Sequence, residues 1–163
     1  MTDNAHGLNH GAQQDWVEGL LIGLADHKVF IRSSEIKEVL RPVAFTVVPM
    51  VPEHVIGLAN IHGQVVCIID AGGVSALPLC NREVTERTRF LVLHHPVMHI
   101  ALWVDDIHKT QRSNATELAN SEKNNDSVCR IELDGIACDY LQCMKLLDCD
   151  SSTDAIDIGR YKA

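Results

Sequence analysis

The sequence predicts an all-β protein, built either as a sandwich or as a pair of small barrels. Short apolar segments rich in Val, Ile and Leu recur along the chain, and turn residues separate them at close spacing. This rhythm is typical of sandwiches and barrels. There is no strand–helix–strand alternation, and no helical periodicity is long enough for a helix bundle.

The first predicted elements are strands joined by a tight turn. Segment 17–25 is apolar, and segment 28–32 alternates Val and Ile with other residues, so the two form a hairpin that turns over 25–28. Further along, the β-branched segment 45–48 is a strand with apolar residues on both faces. Such a strand must be covered on each side.

Segment 33–40 (SSEIKEVL) has two interpretations. Ile36 and Val39 have the spacing of one face of a helical turn, and one of the preceding serines can cap it. A regular strand would instead place Ile36 beside Glu38. The helical turn is the first interpretation and the strand is its alternative.

The segment from 52 to 70 (PEHVIGLANIHGQVVCIID) is the most informative part of the chain. It predicts two strands, 56–61 and 64–70, joined by a turn that presents His62. One glycine allows the chains to approach closely, another permits positive φ at the bend, and an asparagine caps its own turn. These predicted turn residues are Gly57, Gly63 and Asn60.

The next part of the chain begins with a loop, residues 71–88, rich in Gly and then in charge. Segments 89–95 and 98–104 are apolar runs separated by Pro96, which predicts a third hairpin. A polar, exposed strand follows over 105–112.

Residues 113–126 contain one large apolar side chain, Leu118, and are predicted to be a flexible excursion. Order returns at 128–141, where Asp134-Gly135 is the strongest hairpin signal in the chain. Residues 142–148 close as one or two helical turns.

Charge and composition exclude several classes of protein. A formal net charge of −8 argues against nucleic acid or an anionic membrane as partner. No apolar run is long enough to span a bilayer and no signal peptide is recognisable, so we expect a cytoplasmic protein whose six cysteines are reduced, structural thiols. We expect residues 1–14 and 150–163 to be tails, the latter acidic, around one domain at 15–149.

The order of these segments resembles the CheW-like family, the adaptors of bacterial chemosensory arrays. EIKEVLRP followed by GLANIHGQVVCIID is similar to the family's V-x-E-V and G-V-x-N-L-R-G-x-V-x-P-V-I-D-L. RFLVLHHPVMHIALWVDDI is similar to its second hallmark, and LDGIACDYLQCMKLL to its closing hairpin and helix. The opening LLIGLADHKVFI looks closer to adaptors of type IV pilus (twitching-motility) systems than to flagellar ones.

The resemblance implies two interlocked five-stranded SH3-like β-barrels with short helical turns and a groove between them. It implies no catalytic activity and no cofactor. One barrel would dock the regulatory domain of a CheA-type histidine kinase, and the groove would take the cytoplasmic tip of a chemoreceptor. His62 stands where the family usually has arginine, which can pair with the glutamate matching Glu38. Histidine offers neither a permanent charge nor a planar fork of donors.

Two sets of residues are candidates for partner contacts. The expected receptor-binding set is Ile36, Glu38, Val39, His62, Val104 and Ile107, since a helix in a groove needs aliphatic anchors. The expected kinase-binding set is Val43, Phe45, Val47 and Val48 on the strand with two apolar faces.

Two other functions remain as alternatives. One is an adaptor-fold protein that binds only the kinase. The other is a metal-dependent hydrolase using histidines and cysteines, for which His94, His95 and His99 are the metal candidates. Asp105 and Asp106 point to opposite sides of an extended strand, so they do not form a catalytic dyad.

Overall fold

The structure, a computed structural model, describes residues 15–73 and 75–147. The predicted tails at 1–14 and 150–163 lie outside these residues. The strands are β1 Trp16–Leu24, β2 His27–Arg32, β3 Ile36–Leu40, β4 Phe45–Thr46, β5 Val55–Ile61, β6 Gln64–Ile69, β7 Arg89–Leu93, β8 Ile100–Val104, β9 Asp106–Asn114, β10 Val128–Leu133 and β11 Ile136–Leu141. The α-helices are α1 Ala115–Glu122 and α2 Cys143–Leu147, and short 3-10 turns occupy Ser33–Glu35 and Ala71–Gly73.

The strands form two sheets, which confirms the all-β prediction. The first sheet has the order β10-β11-β2-β1-β9, and the second has the order β3-β7-β8-β6-β5-β4. The second sheet has six strands because the two-residue β4 adds to its edge. The chain enters the second sheet after β2 and returns to the first after β8, so the two sheets are interlocked.

Asp105 occupies the second of these crossings, between β8 and β9. Its Oδ2 accepts a hydrogen bond from the backbone N–H of Ala25 at 2.7 Å, and its Oδ1 accepts one from Asn81 at 2.9 Å. Its own N–H donates to the carbonyl of Gly23 at 3.0 Å. Asp105 therefore ties the β1–β2 turn and the long loop to the junction between the sheets.

A main core extends across both sheets, and a smaller core lies under α1. Phe45, Phe90 and Trp103 form an aromatic cluster in the main core, with ring centroids 5.4–6.3 Å apart. Among the described residues, no helix is both long and apolar enough to cross a membrane.

The three predicted hairpins β1–β2, β5–β6 and β7–β8 are confirmed, as are the Asp134-Gly135 hairpin and the closing helix α2. Both residues of the Asp134-Gly135 turn have positive φ, at 50° and 79°. That geometry matches the twist of the strands that the turn connects.

The helical interpretation of segment 33–40 is wrong beyond its first residues. A 3-10 turn covers Ser33–Glu35, and β3 then pairs with β7. A β-bulge between Ile36 and Glu38 shifts the register, so that Ile36 pairs with Leu93 and Val39 with Leu91. Paired residues share a face, so the bulge leaves Ile36 and Val39 on one face, as a helical turn would.

The prediction of a flexible excursion at 113–126 is also wrong. Asn114 caps α1 because its side chain accepts a hydrogen bond from the N–H of Thr116 at 2.8 Å. Leu118 is fully buried in the smaller core, and Glu117 accepts the N–H of Glu132 at 3.0 Å. One buried anchor and these polar contacts are sufficient to dock the helix.

Candidate functional site

The β5–β6 turn presents His62 at one end of the second sheet. His62 and Gly63 both have positive φ, at 52° and 82°. Asn60 Oδ1 accepts a hydrogen bond from the N–H of Gly63 at 2.9 Å. Nothing lies within 4 Å of a Cβ placed on Gly63, so glycine serves the backbone conformation there rather than close packing.

His62 is hydrogen-bonded to Glu38 on β3. Its Nε2 lies 2.8 Å from Oε1 and 3.0 Å from Oε2 of the carboxylate. A carboxylate only accepts hydrogen bonds, so Nε2 carries a proton and donates it. The side chains are 71% and 33% exposed, so the pair lies at the surface. Ion pairs in such positions contribute about 0–1 kcal/mol to stability.

The pair lies at the edge of a cleft of about 150 Å³. Its floor is apolar, and its rim carries polar and titratable side chains from β3, the β5–β6 turn and the β7–β8 loop. The floor residues are Ile61, Val66, Val92, Leu93 and Met98. The rim residues are Lys37, Glu38, His62, Gln64, His94, His95 and His99.

The three metal candidates line this cleft but do not form a metal centre. Among residues 15–73 and 75–147, no group of three or more His, Cys, Asp or Glu is arranged to hold a metal ion. His95 Nδ1 accepts hydrogen bonds from the backbone N–H groups of Val97 and Met98, at 3.1 and 2.8 Å. His95 therefore shapes its own loop.

Three of the expected receptor-binding residues are on β3, and they are divided between its two faces, whereas Val104 is on β8 and Ile107 on β9. Glu38 pairs with Val92 and lies on the opposite face from Ile36 and Val39. Val39 is exposed, whereas Ile36 and Ile107 are half-buried and pack against the main core. Val104 is 0% exposed, so it cannot contact a partner directly.

The expected kinase-binding set lies on and around β4, at the other edge of the second sheet. Phe45 is a member of the aromatic cluster, Val43 packs against the main core, and Val48 is half-buried. Val47 follows the strand and is 70% exposed. A Cβ on Gly57 would lie 2.6 Å from the carbonyl oxygen of Thr46, so glycine allows β4 to pair closely with β5.

Two features at the ends of strands in the second sheet were not predicted from the sequence. Met50, three residues after Val47, is fully exposed and has a φ of 62°. Asp70, at the end of β6, is fully buried and accepts hydrogen bonds from Arg82 and Cys80. The acidic residue after an apolar run was the only sequence signal for Asp70, and nothing indicated Arg82.

The described cysteines are free thiols, and most are buried. Burial raises the pKa of Cys67 and Cys138 to about 11, and raises the pKa of Cys80 and Cys143 well above the usual range of a thiol. A thiol with a raised pKa stays protonated at neutral pH and is a poor nucleophile. This agrees with structural roles for these side chains.

The fold and the surface define a two-sheet, interlocked all-β protein with a small open cleft and exposed aliphatic edges. The chain belongs to the CheW-like domain family, whose model matches residues 18–150. None of the curated proteins is significantly similar to it in sequence.

Among solved structures, the chain is similar to the scaffolding protein TtCheW from Thermoanaerobacter tengcongensis. The TM-score is 0.66 at 14% sequence identity, with 88% of this chain and 95% of that chain covered. A likeness at this identity is evidence for the fold, and it agrees with the two-barrel architecture expected from the sequence.

Proposed function

We propose that this protein is a non-catalytic cytoplasmic adaptor that couples chemoreceptors to a CheA-type histidine kinase. The observation that carries the proposal is membership of the CheW-like family over residues 18–150. The Glu38–His62 contact supports it, because these are the positions at which the family's Glu–Arg pair is expected.

The adaptor acts by position rather than by chemistry. Binding both partners at once holds the kinase where the conformation of the receptor can bias its activity. The receptor tip contacts the region of Ile36, Val39, Glu38 and His62. The kinase regulatory domain contacts the β4 edge, where Val47 and Met50 are exposed.

A binding assay with the full chain tests both contacts. The regulatory domain of the cognate kinase and a soluble fragment of the receptor tip are titrated separately by calorimetry. We expect both to bind. Val47→Glu should weaken only kinase binding and Val39→Glu only receptor binding, because each places a charge on one of the exposed aliphatic surfaces.

Val84→Glu is the matched control, since Val84 is 55% exposed on the loop between β6 and β7. It should leave both affinities unchanged. A chain that binds neither partner contradicts the adaptor proposal.

A kinase-only accessory adaptor is the second candidate. It is favoured by one observation, the histidine at position 62 where the family usually has a permanently charged arginine. Kinase binding without receptor binding would support it.

A further part of the proposal is that the protein serves a type IV pilus system rather than a flagellar one. It predicts that deletion of the gene abolishes twitching and spares swimming.

A further inference from the structure

The cleft beside Glu38 concentrates imidazoles. Four of the nine histidines of the chain line it: His62, His94, His95 and His99. Lys37 is the remaining basic residue of the lining and Glu38 is its acidic residue. The chain as a whole carries a net charge of −8, so this lining differs in character from the rest of the protein.

The four rings are not equivalent. His95 uses Nδ1 as an acceptor for two backbone N–H groups, so a proton there would face two donors. His62 donates Nε2–H to Glu38 and can take up a proton on Nδ1. His94 and His99 are exposed at the rim. His62, His94 and His99 are therefore the rings that can gain charge without breaking a loop contact.

The size and floor of the cleft limit what can enter. A volume of about 150 Å³ is comparable to that of cavities that hold one small aromatic molecule. One side chain fits, and a helix does not. The apolar floor suits the methylenes of that side chain, while the rim offers N–H donors and positive charge to a terminal anion.

We propose that the cleft receives a carboxylate side chain of the docked receptor tip, and that docking is linked to proton uptake by His62, His94 and His99. This rests on the proposed adaptor function and adds the chemistry of the contact. The charge of Glu38 is offset when His62 takes up its proton, because His62 is bonded to both oxygens of that carboxylate.

The expected pH dependence follows from linkage. A carboxylate beside an imidazole favours the charged ring. The complex then binds more protons than the separate proteins, so affinity rises as the pH falls through the range where histidine titrates and is lost as the pH rises. An arginine at position 62 would be charged throughout this range, so it cannot provide this response.

The experiment is calorimetric titration of the full chain with the receptor-tip fragment from pH 8 to pH 6, with the kinase regulatory domain titrated in parallel. We expect receptor affinity to rise about tenfold over this interval and kinase affinity to remain flat. The double variant His94→Gln/His99→Gln should lose most of this rise. His27→Gln, an exposed histidine on β2, is the control and should keep it.

The outcomes separate this inference from the proposed function. Absence of receptor binding at every pH contradicts the adaptor function itself. Receptor binding with the same pH slope in the wild type and in the double variant overturns the histidine cleft alone. A slope seen only with the kinase domain also overturns it, because the carboxylate would then come from the other partner.

Discussion

Two acid–base pairs in the second sheet have opposite environments. Glu38 and His62 meet at the surface, where His62 is 71% exposed. Asp70 is 0% exposed, and its Oδ2 lies 3.3 Å from both Nε and Nη2 of Arg82. Arg82 also donates to the carbonyl of Glu53 at 2.9 Å.

The buried pair holds the long loop to the end of β6. Asp70 also accepts hydrogen bonds from the N–H of Gly72 at 3.0 Å and of Cys80 at 3.2 Å. The surface pair closes no such network, and water screens it. Burial therefore distinguishes the structural pair from the binding pair. Asp70 maintains the fold, whereas Glu38 and His62 can change partners at little cost in stability.

Replacing the buried carboxylate should have the largest effect. Asp70→Asn removes the charge and turns one acceptor into a donor facing N–H groups, so we expect a loss of about 3 kcal/mol in the free energy of unfolding. Urea denaturation measures it. A loss below about 1 kcal/mol would show that Asp70 does not hold the loop.

Replacing Arg82, the basic partner of Asp70, should lower the free energy of unfolding by a smaller amount. Arg82→Met leaves Asp70 with the hydrogen bonds from Gly72 and Cys80, so we expect a loss of about 2 kcal/mol in the free energy of unfolding. Arg87→Met is the matched control, because Arg87 is 78% exposed and lies 3.5 Å from Asp106. The same denaturation assay should show a change near zero for Arg87, and equal losses for both arginines would contradict the comparison.

Glu35 is an intermediate case, a half-buried carboxylate before β3. Burial raises its pKa, although its Oε1 accepts a hydrogen bond from the N–H of Met144 at 3.3 Å. The folded state therefore holds this proton more tightly than the unfolded state, and stability falls as the pH rises through the raised pKa.

Glu35→Gln should consequently be more stable than the wild type at pH 7, and the difference should vanish at a pH below the ordinary glutamate range. Thermal melts at several pH values measure it. Glu38→Gln, on the strand β3 that follows, is the control. A difference that does not depend on pH would show that charge at Glu35 is not the cause.

The surface pair should matter for binding. His62→Arg supplies a permanent charge and should tighten receptor binding several-fold, whereas His62→Asp places two carboxylates together and should weaken it. Titration with the receptor-tip fragment at pH 7.5 compares the three proteins. Equal affinities would place the β5–β6 turn outside the interface.

The smallest effect is expected when the His62 side chain is removed and the stability of the protein, rather than its binding, is measured. His62→Ala should change the free energy of unfolding by less than about 1 kcal/mol, because the contact between His62 and Glu38 is exposed. Urea denaturation of His62→Ala and Asp70→Asn in parallel gives the loss of stability for the surface pair and for the buried pair on one scale. A loss as large as that of Asp70→Asn would remove the distinction between them.

Local sequence signals predicted most of the fold. The Asp134-Gly135 and His62-Gly63 turns were recognisable because short-range backbone geometry restricts the residues at such positions. Segment 33–40 was misassigned because a β-bulge, which depends on pairing with a distant strand, reproduces the spacing of a helical face. Helix α1 was missed because its stability depends on burial of Leu118.

The candidate site was only partly accessible to sequence reasoning. The position of Glu38 and His62 came from family resemblance, and their contact is a property of the packed sheet. His94 and His99 were considered in the sequence only as metal candidates, and their place in the same cleft depends on how β6, β7 and β8 pair. Val104 was predicted to be an anchor for the receptor because apolarity alone does not distinguish a surface residue from a core residue.

The strand-rich class, the order of the hairpins and the family could all be predicted from the amino-acid sequence, because alternation and turn chemistry act over a few residues. Three properties emerge only in the folded protein: which acidic residues are buried, which face of β3 each side chain occupies, and that four histidines share one cleft. Those properties depend on contacts between residues far apart in the chain. Their energies depend on burial, which is set when the two sheets pack together.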